Sequence, residues 1–289
     1  MFHPSDHNVE LFEEEFRLLR DLIHERFGIY FEENQRASLR ARLVGRLLSL
    51  DLLSFEDYYH YLRFGPHRND ELQRMVAHLT NNETYFFRES AQLKVFAEHV
   101  LRGLKERKAQ EGSRSLRILS AGCSTGEEAL TVAMIVYDSG QFFWSWAVQI
   151  AGLDVDDVAL EKARRGTYHH NSFRGMSPEL IDRHFVRQGG GAQVKEAVRR
   201  LVRLRQGNIL DPESYDGLQP LDVIFCRNVL IYFSDATTRR AVELFHDALS
   251  PGGYLLLGHA ESLSRITGLF RPIRFPGAMI YQRPGGVAP

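Results

Sequence analysis

Two cysteines, Cys123 and Cys226, are the only thiols among 289 residues, and they stand about 100 positions apart. So few thiols exclude a disulfide framework, and their spacing is not one that holds zinc, so a reducing compartment and no metal are expected. Long apolar runs are missing too: nothing approaches the roughly 20 residues that a bilayer-spanning helix needs. The opening stretch MFHPSDHNVELFEEEF is acidic, where a secretory leader would be basic and then apolar. A cytoplasmic protein without membrane insertion is the expectation. Net charge is nearly absent at -1, which removes any global electrostatic case for nucleic acid or an anionic surface and leaves only local clusters. With 44% hydrophobic and 25% charged residues, there is enough apolar material for one large α/β domain and a smaller one.

The smaller one comes first. Apolar residues recur at helical spacing in Phe12, Phe16, Leu19 and Ile23, again in Leu39, Leu43 and Leu47, and again in Phe55, Tyr58, Tyr61 and Leu62. Gly28 suits a helix C-cap and Ser54 an N-cap. The pattern predicts a small helical bundle ending near Gly65-Pro66, within an all-helical domain and linker over residues 1–78. Between Gln35 and Leu50 stand Arg36, Arg40, Arg42 and Arg46 with no acidic residue. Two readings are open: a solvated helix face balanced by Glu32 and Glu33, or a surface for an anionic partner.

The larger domain, residues 79–289, is organised around Leu116 to Glu128, LRILSAGCSTGEE. A strand-forming run ends in a small-residue turn and then meets two carboxylates. Gly122 and Gly126 allow tight or positive-φ backbone, and let a ligand lie close to main-chain N–H groups ahead of the apolar helix beginning near Ala129. Upstream, HLTNNETYFFRES sets Thr80, Asn81, Asn82 and Thr84 beside three aromatics and Arg88. An N-cap with a core aromatic cluster accounts for most of it. Arg88, however, is well placed to hold a carboxylate by a bidentate contact. A helix is expected over Ala91 to Leu104, followed by a surface connection to Ser115.

Downstream the rhythm is α/β. The strand Ala147 to Leu153 closes on Asp154, at the distance from the glycine turn where a carboxylate accepts ribose hydroxyls in nucleotide-binding βαβ units. Asp156 or Asp157 suits the N-cap of the next helix. The turn A-G-C-S-T-G lacks the G-x-G-x-x-G pattern that seats a pyrophosphate. A single adenosine with an amino-acid tail, as in S-adenosylmethionine, needs the ribose carboxylate and a close backbone turn but no phosphate cradle, and Glu127 could meet its polar groups. A methyltransferase is therefore favoured over a dehydrogenase. Residues 166–205 interrupt the rhythm and predict an inserted subdomain, with a helix starting at Ser177-Pro178-Glu179 and a turn at Gly189 to Gly191. The rhythm then returns, with a strand leading into Gly207 to Leu210 and another over Leu221 to Cys226. Asn208, Cys226, Arg227, Asn228 and Tyr232 fall at or just after the C-terminal ends of parallel strands, facing the ligand crevice, although Cys226 could be a small buried hydrophobe. Tyr254 to Leu257 and Phe275 to Arg283 complete the predicted strands.

Taken together, LTNNETYFFRE, SAGCSTGEEA, GLDVDD, FCRNVLIYF and GGYLLLGHAES stand in order over some 180 residues. In this they resemble the chemotaxis receptor methyltransferases of the CheR type. The resemblance implies a Rossmann-like class I S-adenosylmethionine-dependent methyltransferase fold, with a small N-terminal helical domain and an inserted small subdomain. It implies methyl esterification of glutamate side chains on the cytoplasmic domain of chemoreceptors, with S-adenosylhomocysteine as product. By the resemblance Asn82, Thr84, Arg88, Gly122, Glu127, Asp154, Asn208, Ile209, Cys226, Arg227 and Asn228 contact the cofactor or border its pocket. Arg88 and Tyr232 face the reacting carboxylate, and the arginines from Arg36 to Arg46 meet an acidic receptor. A monomer is expected. Ala129-Leu130 replaces the Pro-Tyr common after the double glutamate. Gln188 to Gly191 is shorter than the glycine loop through which some members hold a receptor's C-terminal peptide, which leaves such tethering open. Two rivals remain: a catalytically inactive, cofactor-sensing or receptor-binding module, and a methyltransferase for small molecules or nucleic acid. Intact Arg88, Asp154 and Tyr232 argue against the first. The near-zero charge, and Arg227-Asn228-Val229 where an N/D-P-P-Y-type tetrapeptide would stand, argue against the second.

Overall fold

The computed structural model describes residues 9–142 and 145–285. The first eight residues, part of the stretch read as lacking a leader pattern, lie outside them. The chain forms two units, Met1–Asn81 and Asn82–Pro289. Among the described residues no helix is long and apolar enough to cross a membrane.

The first unit is helical, with α1 (Glu13–Phe27), α2 (Arg36–Ser49), α3 (Phe55–Phe64) and α4 (Arg68–Leu79). Each helix buries a stripe at 3–4 spacing: Phe16, Leu19 and Ile23 on α1, Leu39, Leu43 and Leu47 on α2, and Phe55, Tyr58 and Leu62 on α3. Each such side chain contributes about 1.5–3 kcal/mol on leaving water. Gly28 ends α1 at φ 75°, and its N–H bonds the His24 carbonyl. The Ser54 side chain caps α3 by accepting from the Asp57 N–H. Helix α4, which lies past Gly65-Pro66 where the periodicity was read as ending, buries Leu72, Met75, Val76 and Leu79. Glu71 on the same helix is 2% exposed. Two bonds from Arg46, at 3.0 and 2.6 Å, and one from the Tyr58 hydroxyl at 2.8 Å satisfy its carboxylate.

The second unit opens with α5 (Ser90–Val95), a π turn (Phe96–Val100) and α6 (Leu101–Gln110). This helical stretch runs six residues beyond its expected end at Leu104, because the charged segment after Leu104 still buries Lys108, whose ammonium meets Asp222 at 2.8 Å. The remaining helices of the sheet domain are α7 (Glu127–Asp138), α8 (Asp157–Arg165) and α11 (Asp235–Ala248). They pack on a seven-stranded sheet built from β1 (Ser115–Ala121), β2 (Ala147–Asp154), β6 (Val202–Gln206), β7 (Leu221–Cys226), β8 (Leu249–Leu257), β9 (Arg271–Phe275) and β10 (Ala278–Gln282). The order is β6-β2-β1-β7-β8-β10-β9, parallel through β8 and antiparallel thereafter. The last strand, expected over Phe275 to Arg283, spans only Ala278–Gln282 as β10, and the unpredicted β9, which ends at Phe275, makes a hairpin with it. Val202–Gln206 is the strand expected before Gly207; it begins inside the stretch assigned to the insertion and pairs with β2 at the sheet edge.

Period-2 alternation assigns the two faces of the sheet. Leu116 and Ile118 of β1, Ile150 of β2, and Val223 and Phe225 of β7 join one core with the π turn and α7. Leu119 and Ala121, Ala151 and Leu153, and Ile224 and Cys226 join the other core with α11. Both faces are covered, which explains the almost uninterrupted apolar runs of the parallel strands. Apart from the sheet, β3 (Thr167–Tyr168), β4 (Phe185–Gln188) and β5 (Gly191–Val194) form a small antiparallel sheet with α9 (Pro178–His184), and α10 (Glu196–Arg199) leads back to β6. Gly189 and Gly190, at φ 52° and 81°, make the two-residue turn of its hairpin, a geometry that demands positive φ at both positions.

Candidate active site

Strand order reverses between β1 and β7, so the crevice opens where these parallel strands end. At the end of β1 the backbone doubles back, and the N–H groups of Gly122 and Cys123 both donate to the Leu153 carbonyl, at 2.7 and 3.1 Å. Gly122 has φ 77°, and a Cβ there would lie 2.5 Å from Val229 Cγ2, so only glycine fits.

Behind it lies a closed polar circuit. The Ser124 N–H donates to Asp154 Oδ2 at 2.7 Å, and its hydroxyl donates to Asn82 Oδ1 at 2.6 Å. Asn82 Nδ2 donates to Asp156 Oδ2 at 2.9 Å, and the Asp156 N–H returns to Asp154 Oδ1 at 2.9 Å. Asp156 also caps α8. Burial pushes the Asp154 carboxyl up to about 6, against the lowering by the two N–H bonds. Each of its oxygens takes one backbone donor and keeps further acceptor capacity. The sequence placed Asp154 and Asn82 here; Ser124 and Asp156 complete the circuit, Asp156 having been read only as a cap.

Glu127 stands at the turn, where its carboxylate also has a structural role. It is 2% exposed, and its carboxylate accepts from Thr125 Oγ1 at 2.6 Å and Ser172 Oγ at 2.9 Å, so it holds the turn to the inserted segment. Burial raises its pKa. Ile209 lies in the apolar core with Cys226. Asn208 closes an Asx turn, its Oδ1 accepting from the Leu210 N–H at 2.9 Å. Burial pushes both thiols, Cys123 and Cys226, well up, which makes them packing residues.

The upstream loop reaches the crevice under backbone constraint. Phe87 and Glu89 sit at φ 58° and 56°, and Ser124 and Asn228 at 47° and 61°, so four left-handed non-glycine residues gather around one site. Phe86 anchors the loop: fully buried, its ring lies 4.8 Å from Tyr168 and 5.0 Å from Phe185. Thr84 and Arg88 are half-buried. Arg88 donates to the Glu83 carbonyl at 3.1 Å and lies 5.8 Å from the Tyr85 ring, leaving most of its fork for a ligand.

At the end of β7, Arg227 packs against the upstream loop and α7. It is 7% exposed, with Glu89 at 3.3 Å and Glu128 at 3.4 Å, and it donates to the Arg88 carbonyl. A buried guanidinium needs such counter-charges. Burial works to raise the Glu89 pKa, but hydrogen bonding from His259 at 2.8 Å and the Arg227 charge bring it below the ordinary range. Glu128 is raised by its burial and accepts from Ser120 at 2.8 Å. Next along, Glu261 accepts five backbone N–H bonds at 2.6–3.3 Å, from Gly258 and from each residue of Asn228 to Ile231. It therefore shapes the single 3₁₀ turn carrying the partly exposed Tyr232. Glu89, Glu128 and Glu261 lie within three of the five sequence motifs, but nothing in their spacing assigns them roles. Asn228 Oδ1 is buried and has no hydrogen-bond partner among the described residues.

Of the four arginines assigned to a receptor, three bond inside their own unit. Arg40 donates to the Val9 carbonyl at 2.6 Å, Arg42 to the Leu79 carbonyl at 2.7 Å, and Arg46 holds Glu71. Arg36 is exposed on the first turn of α2.

The crevice thus offers a buried carboxylate for hydroxyl donors, a backbone turn that a ligand can approach closely, and an orphan amide oxygen, with no phosphate cradle. These donors and acceptors fit a nucleoside with an amino-acid tail. Comparison with known proteins agrees. Residues 82–278 match the SAM binding domain of CheR methyltransferase, and residues 14–80 match its all-alpha domain. Chemotaxis protein methyltransferase 2 of Vibrio cholerae is 36% identical over 271 residues, 93% of each chain. The chemotaxis protein methyltransferase of Escherichia coli is 35% identical over 88% of this chain and 86% of its own. A Pseudomonas aeruginosa relative named Probable biofilm formation methyltransferase WspC is 34% identical over 91% of this chain and 60% of its own. With both matched segments in the order of the two units, the chain belongs to the CheR methyltransferase family and is an S-adenosylmethionine-dependent methyltransferase.

Proposed function

We propose that the protein esterifies glutamate side-chain carboxylates on the cytoplasmic domain of chemoreceptors. The observation carrying this is Arg88, half-buried at the crevice on a loop held by Arg227, with Tyr232 on the turn shaped by Glu261. A guanidinium fork suits a carboxylate substrate, whereas a neutral hydroxyl or an amine would gain little from it.

Bound S-adenosylmethionine supplies an electrophilic methyl group on a sulfonium. Asp154 would hold the ribose hydroxyls, Gly122 would give the ligand close backbone approach, and Asn228 Oδ1 would accept from a donor on the ligand. A glutamate carboxylate, with a reference pKa of about 4.3, is already ionised at neutral pH, so no general base is required. The protein's work is then positioning, which can remove up to roughly 7–11 kcal/mol of barrier. Arg88 orients the carboxylate by one edge and leaves an oxygen lone pair facing the methyl. Tyr232 borders the same opening and can donate a hydrogen bond to the second oxygen. Arg36, the exposed member of the α2 set, would meet acidic receptor surface, while Arg40, Arg42 and Arg46 keep the helix in place. The protein would act as a monomer in the cytoplasm.

The test separates binding from chemistry. Arg88→Ala should keep its fold and lose at least about 100-fold in turnover, as misplacement of a reacting group does. Asp154→Ala should lose S-adenosylhomocysteine affinity by calorimetry as well as methyl transfer. Wild-type turnover in both variants would sink the assignment.

A further inference from the structure

Behind the cofactor turn lies a second cavity, of about 420 Å³, in the size range of small-ligand sites. Its walls carry Arg164 of α8, Arg199 and Arg200 at the end of α10, and Arg203 of β6, with Glu196 as the acid among its lining residues. The floor is apolar, formed by residues such as Leu130 and Val202.

Four guanidiniums around one cavity outnumber the three carboxylates that pair with them: Asp157 and Glu161 meet Arg164, Glu196 is shared by Arg199 at 3.9 Å and Arg200 at 3.1 Å, and Arg203 has no acidic partner among the described residues. The local sequence accentuates this. Between Lys162 and Arg205 stand eleven Lys and Arg against three Asp and Glu, in a chain whose net charge is -1. The protein's own bonds use little of the available donor capacity. Among the described residues, hydrogen bonds engage a single nitrogen of each guanidinium: Arg164 Nη1 with Asp157 and Glu161, Arg199 Nη2 with the Arg164 carbonyl, Arg200 Nε with Glu196, and Arg203 Nη1 with the carbonyls of Arg200 and Val202. The other nitrogens keep donors in forked geometry suited to anionic oxygens.

We infer that this cavity binds a small polyanion of the diphosphate class, free or as part of a nucleotide whose base would cover the apolar floor. The site also touches the cofactor turn. Gly126, which lines it, sits at φ 91° between Ser124 and α7, donates its N–H to the Cys123 carbonyl, and is packed so closely that a Cβ would lie 2.8 Å from Ala163. An anion in the cavity therefore lies against the residue that sets the entry of α7, two positions from the N–H that holds Asp154.

The test is titration of the full chain with inorganic pyrophosphate, and separately with ADP, at about 50 mM salt, where screening is modest. Calorimetry should show saturable 1:1 binding, weakened at least about tenfold in the double variant Arg200→Glu/Arg203→Glu, whose two sites are exposed. In ¹⁵N-glycine-labelled protein the Gly126 amide resonance should move with saturation. Tighter binding of ADP than of pyrophosphate assigns the floor to the base, and equal binding assigns the site to the diphosphate alone. Failure of both ligands to saturate, equal binding by the double variant, or an unmoved Gly126 resonance would overturn the inference.

Discussion

Two buried arginine–carboxylate clusters, one in each unit, use the same chemistry for different ends. In the helical unit, Arg46 faces one carboxylate, Glu71, through two well-formed bonds, and Tyr58 completes the set. Burial, reinforced by Glu71, raises the Tyr58 pKa, so its hydroxyl remains a donor. The partners match one guanidinium to one carboxylate, and the result is a weld between helices. In the α/β unit, Arg227 faces two carboxylates, Glu89 and Glu128, at the longer distances of 3.3 and 3.4 Å, and its Nε has no partner among the described residues. It also holds the carbonyl of Arg88, between two residues at positive φ. The second cluster is less well satisfied than a weld would be, and it sits where a loop must be held in a strained shape. A buried ion pair thus stabilises in one unit and positions in the other.

Variants can separate the two uses. The largest effect belongs to Arg46→Met, which leaves Glu71 buried without its counter-charge and should cost the helical unit about 3–5 kcal/mol in chemical denaturation. The surviving folded protein should bind S-adenosylhomocysteine normally. Arg227→Lys keeps the charge but loses the fork; turnover should fall about 100-fold, while cofactor affinity and melting change little. A loss of stability matching the Arg46 variant with unchanged turnover would reduce Arg227 to a second weld.

Smaller effects probe the rest of the site. Asp154 titrates near 6 because of burial, and ribose hydroxyls favour its ionised form. Cofactor affinity should therefore be full above pH 6 and fall by about tenfold per unit below it. In Asp154→Asn this slope should vanish, and its persistence would assign the titration elsewhere. Smallest of all, Arg36→Glu should raise the receptor KM about 3- to 10-fold with cofactor affinity untouched, whereas an unchanged KM removes Arg36 from the receptor surface.

Much of the fold was legible because it rests on local rules. The stripes of α1 to α3, the caps at Gly28, Ser54, Asp156 and Ser177, and the parallel strands before Asp154 and Asn228 all follow from periodicity and turn chemistry. Elements decided by tertiary partners were less visible. Helix α6 continues through a charged segment because Lys108 finds Asp222, and Arg271–Phe275 becomes a sheet strand because it pairs with β10. The site shows the same division. Residues at strand ends, such as Asp154 and Asn228, could be placed from sequence. The orientation of Arg227 and Glu127, and the role of Glu261, depend on partners 30 or more positions distant, except for Thr125 and Gly258. Only the assembled fold brings those together.

The central claim, a glutamate methyl ester made at this crevice, is tested most directly by methyl transfer from labelled S-adenosylmethionine to a purified chemoreceptor cytoplasmic domain, followed by mild base and peptide mapping. The expected result is label that base releases as methanol, mapped to glutamate residues and lost with Arg88→Ala. Base-stable label, or label equally strong in the variant, would contradict it.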